Sequence, residues 1–235
     1  MPLATLLSML AAQPAPPARY LALGDSYTIG ESVPVAARWP NQLAELLRAQ
    51  GVELAPPQIV ARTGWTTDEL AAALDALERG DEVANAMGEA AVPPAPPYQL
   101  VSLLIGVNNQ YRGREVAEYR VQLDALIARA IGYAGGDASR VLVLSIPDWG
   151  VTPFAEGRER ARITADIDAY NAAKRATCAA AGVAFVDITP LTREAAERPE
   201  LLADDGLHPS AQDYRRWAQA ALPAARAALG LSASD

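Results

Sequence analysis

The 235-residue chain contains one histidine, His208, and one cysteine, Cys178. Neither a His/Cys metal cluster nor an intrachain disulfide can be assembled from these, and the reading reached below expects no cofactor. Any reaction that needs an imidazole base has to use His208. That residue lies in Leu202-Ala203-Asp204-Asp205-Gly206-Leu207-His208-Pro209-Ser210, a rigid loop in which Asp205 and Asp204, three and four residues earlier, offer a carboxylate to orient the ring. Near the other end of the chain, the apolar run in Tyr20-Leu21-Ala22-Leu23-Gly24-Asp25-Ser26-Tyr27-Thr28 stops at a glycine and delivers Ser26. Acyl transfer by serine requires an imidazole to take the hydroxyl proton, a carboxylate to orient that imidazole, and donors for the oxyanion. Gly64 and Asn108, each just beyond another apolar run, supply a backbone N–H and a side-chain amide. Blander readings exist for the individual residues. Asp25 and Ser26 are common helix caps, a lone histidine is usually structural, and Cys178 among alanines reads as a small core residue. Three polar deliveries at three strand ends are harder to explain that way.

The elements that must position these residues follow from the hydrophobic pattern. Leu21 to Leu23 is too short for a helix and apolar enough for a strand buried on both faces. A helix follows from about Trp39 to Gly51, with Pro40 in its first turn and Leu43, Leu46 and Leu47 on one stripe. Gln58-Ile59-Val60-Ala61 is the second strand, and Thr66 or Thr67 caps a helix carrying Leu70, Leu74 and Leu77. Gly80 to Pro97 reads as a helix remnant plus a surface loop. Leu100 to Gly106 is the strongest strand, nearly all apolar as a central parallel strand should be. Then come a helix over Glu115–Tyr133, a strand over Val141–Ile146, a helix over about Glu159–Ala181 and a strand over Ala184–Ile188. Ser210 caps a terminal helix, with Asp213 completing a capping box. Strand alternates with helix five times, which predicts an open parallel sheet with helices on both faces and a crevice at the carboxyl ends of the strands.

At 51% apolar, the chain has ample material for a core, and it is read as one domain over residues 19–235 behind an N-terminal tail, residues 1–18. The formal charge of −8, with scattered basic residues, argues against sequence-independent nucleic-acid binding. No apolar run approaches the length of a membrane span. Leu3 to Ala12 has the length of a signal-peptide core but no Lys or Arg before it. The compartment stays open between cytoplasm and, if residues 1–18 are a truncated signal, periplasm or exterior. The oligomeric state is not legible.

Gly24-Asp25-Ser26-Tyr27, Gly64, Gly106-Val107-Asn108 and Asp205-Gly206-Leu207-His208 resemble, in order, the four sequence blocks of the GDSL/SGNH hydrolase family, spread from residue 20 to about 229. The resemblance implies a three-layer α/β/α, flavodoxin-like fold with a five-stranded parallel sheet. It implies Ser26 as nucleophile, His208 as general base and then acid, and Asp205 as the orienting carboxylate. The N–H groups of Ser26 and Gly64 and the Asn108 amide would form the oxyanion hole, and Asp25 would be a structural hydrogen-bond acceptor. Tyr27 stands where the family name has leucine, and Asn109 where members often carry aspartate. The nucleophile elbow of the α/β-hydrolases fits less well, because Thr28 occupies its last glycine. The expected activity is hydrolysis of short-chain, aryl or lysophospholipid esters, with Tyr27, Asn109, Tyr111, Trp149 and Phe154 as substrate contacts. The alternatives are a carbohydrate O-acetylesterase using the same residues and, more distantly, a non-catalytic flavodoxin-like binding domain.

Overall fold

The structure is a computed structural model that describes residues 16–84 and 90–231. The tail reading falls mostly on residues 1–15, outside the described residues. Five strands form the sheet: β1 (Tyr20–Gly24), β2 (Gln58–Ala61), β3 (Leu100–Leu104), β4 (Val141–Leu144) and β5 (Ala184–Val186). Their order is β2-β1-β3-β4-β5, and every neighbouring pair is parallel. Leu21, Leu23, Leu100, Val101, Leu103 and all of β4 are buried. Such strands have no solvent face, which is why they read as continuous apolar runs rather than alternating ones.

Helix α1 (Ser26–Ile29) follows β1, α2 (Trp39–Ala49) leads to β2, and α3 (Thr67–Arg79) follows β2. After β3 come α4 (Val107–Tyr111) and α5 (Val116–Tyr133); α6 (Arg160–Ala181) joins β4 to β5, and α7 (Thr189–Arg193) and α8 (Ala211–Ala228) close the chain. Helices α2 and α8 pack together on one face of the sheet, and α5 packs against α3 and α6 on the other. The connection leaves β1 toward β2 on one side and returns to β3 on the other, so the strand order reverses between β1 and β3. In an open α/β sheet the crevice outside the carboxyl ends of such a pair is where ligands bind. Ser26 and Asn108 lie just past those two ends.

The boundaries move inward from the sequence reading. β3, β4 and β5 stop at Leu104, Leu144 and Val186, because the chain then turns out of the sheet. Among the described residues of 80–97 there is no helix. The short helices α1, α4 and α7 escape the sequence pattern, since four or five residues carry too little periodicity to register. Thr66 is the cap of α3, with the Glu69 carboxylate accepting from its N–H at 2.9 Å. The capping box expected at α8 is only half formed. Ser210 Oγ accepts from Asp213 N at 3.4 Å, but the Asp213 carboxylate turns inward to Trp217 Nε1 at 3.0 Å and Arg216 at 2.9 Å. A buried indole N–H needs an acceptor, and Asp213 is within reach one helical turn earlier.

Candidate active site

The Gly24-Asp25-Ser26 turn is shaped by lack of room. A Cβ on Gly24 would lie 2.4 Å from the Leu104 carbonyl oxygen and 2.1 Å from Thr28 Oγ1, so only glycine lets α1 start this close to β3. Asp25 caps α1, its Oδ1 accepting from Tyr27 N at 3.0 Å. Burial pushes its carboxyl up to about 7, against the Tyr27 N–H and the charge of Lys174. Ser26, the first residue of the helix, thus presents both its backbone N–H and its hydroxyl at a helix start, where N–H groups have no intrahelical acceptor.

His208 reaches the same point from 182 residues away. Its Nε2 lies 2.9 Å from Ser26 Oγ, and its Nδ1 lies 2.6 Å from Asp205 Oδ2. The loop that holds it is pinned by Ala203 N donating to His208 O, by the Leu202–Pro209 bridge, and by Gly206 at φ +66°. Asp205 folds back on this loop, its Oδ1 accepting from the N–H groups of Leu207 and His208, both at 2.9 Å. Partial burial raises the Asp205 carboxyl, but donation by Ser32, the imidazole and these two N–H groups outweighs it and leaves it at about 2. The carboxylate is therefore ionised throughout the neutral range. It is Asp205, and not the exposed Asp204, that meets the ring.

Asn108 stands at the start of α4, and its Nδ2 donates to Trp65 O at 2.9 Å. That bond fixes the side chain, and Asn108 lines the cavity described below. Gly106, ahead of it, has φ +123°, and a Cβ there would strike the Tyr119 ring at 2.6 Å. Gly64 turns at φ +84°, with its carbonyl held by Arg112 at 2.7 Å, and Trp65 beside it carries the carbonyl that anchors Asn108.

A cavity of about 150 Å³ opens at this point, lined by Ser26, Tyr27, Val107, Asn108, Tyr111, Trp149, Phe154, Leu207 and His208. Ser26, Asn108 and His208 make its polar side, and Val107, Leu207 and the aromatic rings its apolar side. Tyr111, Trp149 and Phe154 form an aromatic cluster with centroids 5.4 to 6.1 Å apart. Trp149 is buried and donates to Gln110 Oε1 at 2.7 Å, whereas Tyr111 and Phe154 are 45% and 40% exposed and make the rim. The Phe154 N–H donates to Gly206 O at 3.2 Å, which joins the aromatic loop to the His208 loop.

Asn109 is corrected by the structure as a substrate contact. It is fully buried, away from the cavity wall. Its Oδ1 accepts from Thr67 N at 3.0 Å and its Nδ2 donates to Thr67 Oγ1 at 2.7 Å, tying α4 to the start of α3. The helical turn of α4 rotates Asn109 inward while Asn108 faces the cavity. Sequence reasoning missed Val107 and Leu207 on the wall, the Arg158 guanidinium 5.2 to 5.4 Å above the three aromatic rings, and Ser32, whose Oγ donates to Asp205 Oδ2 at 2.6 Å. Ser32 lies 173 residues from Asp205, and no local pattern signals that contact.

The family model of the GDSL-like lipase/acylhydrolase family matches residues 22–216. The chain belongs to this family. Its solved structural neighbours share the fold at low identity. A psychrotrophic esterase, EstA, from Pseudoalteromonas sp. superposes with a TM-score of 0.62 at 15% identity, over 88% of this chain and 95% of that one. A lipase/acylhydrolase from Enterococcus faecalis gives 0.61 at 21% identity, over 92% and 99%. The acetylxylan esterase Axe2 from Geobacillus stearothermophilus gives 0.59 at 18% identity, over 92% and 96%. No curated protein matches by sequence. Among the described residues of this GDSL hydrolase there is no group of His, Cys, Asp or Glu side chains spaced to hold a metal ion, and no helix long and apolar enough to cross a membrane.

Proposed function

We propose that this GDSL-family hydrolase is a serine esterase that cleaves esters of short acyl groups through an acyl-enzyme. The observation that carries the reading is the continuous relay from Ser26 Oγ through the His208 ring to Asp205, with links of 2.9 and 2.6 Å, opening into a cavity. Ser26 Oγ attacks the ester carbonyl as His208 Nε2 takes its proton, and Asp205 stabilises the imidazolium through Nδ1. The N–H groups of Ser26 and Gly64 and the Asn108 amide receive the oxyanion. Collapse transfers the proton from His208 to the departing alcohol, and water, activated by the same ring, attacks the acyl-Ser26 carbonyl to release the acid. The small cavity of about 150 Å³ beside Ser26 supports the choice of a short acyl group.

The test is hydrolysis of p-nitrophenyl esters from acetate to palmitate by wild type, Ser26→Ala and His208→Ala. Turnover that falls with chain length and vanishes in both variants is expected; undiminished turnover in Ser26→Ala refutes the reading. The exposed rings of Tyr111 and Phe154 favour one second reading, O-deacetylation of carbohydrates, because flat aromatic faces suit sugar rings. Release of acetate from acetylated xylan without cleavage of butyrate esters would select it.

A further inference from the structure

We propose that Ser32 is a positioning residue that ties the Asp205 carboxylate to the turn carrying the nucleophile, so that both ends of the relay are referenced to one piece of backbone. This rests on the serine-esterase reading above. Ser32 has φ +65° and is the one non-glycine residue with positive φ among the described residues. Glycine would take this conformation without cost, whereas a residue with a Cβ is strained in it, and such positions cluster at active sites. The hydroxyl present instead is directed at Asp205 Oδ2, 2.6 Å away, the oxygen that also accepts from His208 Nδ1.

The turn itself is fastened to Ser26. Glu31 N donates to Ser26 O at 3.0 Å, Val33 N donates to Gly30 O at 3.2 Å, and Thr63 Oγ1 donates to the Glu31 carboxylate. The bonds therefore close a ring: Ser26 Oγ to His208, His208 to Asp205, Asp205 to Ser32, and Ser32 through Glu31 back to Ser26. Without Ser32, the partners of Asp205 among the described residues all lie in its own loop: Leu207 N, His208 N and the His208 ring. A shift of that loop would then carry imidazole and carboxylate away from Ser26 together. With Ser32, the carboxylate resists such a shift and the ring stays aimed at Oγ. Ser32 also shares the charge of Oδ2, which tempers how strongly Asp205 favours the imidazolium. The other titratable group against the ring is Tyr27, with centroids 5.1 Å apart.

Ser32→Ala keeps the strained backbone and removes the hydroxyl; Ser32→Gly removes both. Both are to be compared with wild type and Ser26→Ala on p-nitrophenyl acetate from about pH 4 to about pH 10, with melting temperatures alongside. In both variants kcat should fall about 5- to 20-fold with KM within about twofold, since a lost charge-assisted hydrogen bond at a partly exposed carboxylate is in part replaced by water. The acid limb of kcat/KM should move up by about half a pH unit, because the carboxylate that faces the imidazolium gains basicity. Ser32→Gly should melt no lower than wild type. Wild-type kcat and an unmoved acid limb in both variants overturn the proposal. So does a fall in kcat confined to Ser32→Ala, or one without a shifted limb, since either would mark a role in loop structure only. Retained activity in Ser26→Ala instead overturns the esterase reading beneath it.

Discussion

Gly24→Ala is the substitution whose consequence can be worked out most fully. The added methyl would meet Leu104 O at 2.4 Å and Thr28 Cβ at 2.8 Å, where ordinary contact begins at 3.4 Å. Thr28 Oγ1, at 2.1 Å, could rotate away, but its Cβ and the Leu104 carbonyl are fixed by α1 and by the pairing of Gly24 with Leu104 between β1 and β3. One of these elements must therefore retreat by about 1 Å, in a core packed too tightly to absorb it. Overpacking of this kind costs about 1 to 3 kcal/mol. In a chain of this size each kcal/mol lowers the melting temperature by about 2 to 4 °C. Because Ser26 begins α1 two residues later, its Oγ moves with the helix, and a displacement near 1 Å at a reacting atom costs roughly 100-fold in turnover. The assay pairs thermal melting with p-nitrophenyl acetate hydrolysis. Gly132→Ala is the control. It lies exposed on α5, nothing stands within 4 Å of its added Cβ, and it should keep wild-type turnover and gain up to about 1 kcal/mol from helix propensity. A Gly24→Ala protein with wild-type melting and turnover within about twofold would show that the turn can yield, and would refute the steric reasoning.

Asn108→Ala should lower kcat by about 100- to 1000-fold through loss of one oxyanion donor, with KM nearly unchanged; a larger change in KM than in kcat would assign the amide to substrate binding instead. Phe154→Ala removes an exposed ring from the rim and should raise turnover of octanoate relative to acetate esters, measured as a ratio of kcat/KM; an unchanged ratio would place the acyl group elsewhere. Lys174 is fully buried, with Nζ donating to Ile105 O at 3.0 Å and Leu144 O at 2.8 Å, and burial pushes its amine down to about 7 from an ordinary 10.5. The folded protein therefore sheds a proton that the unfolded chain retains, so this group makes stability rise with pH between those two values, by at most about 1.4 kcal/mol per unit. Urea denaturation at about pH 7 and about pH 9 should show this rise in wild type and its absence in Lys174→Met; equal slopes would mean the amine stays charged in the fold.

The parallel sheet was legible because its strands are buried on both faces, and a run such as Leu100 to Leu104 then needs no alternation to be recognised. The same runs concealed their own ends, since Ile105 and Ile146 are as buried as the strands they follow although they have left the ladder. The chemistry-bearing residues were legible for a different reason. With one histidine in the chain and an aspartate three residues before it, any imidazole-dependent serine chemistry had a single candidate, and glycine marked the turns at 24, where the backbone comes close to Leu104, and at 64 and 106, where φ is positive. Asn108 and Asn109 show the limit of that reading. Adjacent residues of one type lie on different sides of a helical turn, so one faces the cavity and the other binds Thr67.

The amino-acid sequence by itself determined the class of fold, the order of its elements and the residue types available for the reaction, because hydrophobic period and turn chemistry are local properties. Only the tertiary structure decided which of Asp204 and Asp205 meets the imidazole, that Asn109 is internal, and that Ser32 reaches across 173 residues to the carboxylate. Those outcomes depend on the direction in which a loop turns a side chain and on which distant loop lies opposite. Both are set by the packing of whole elements, and no short stretch of sequence encodes them.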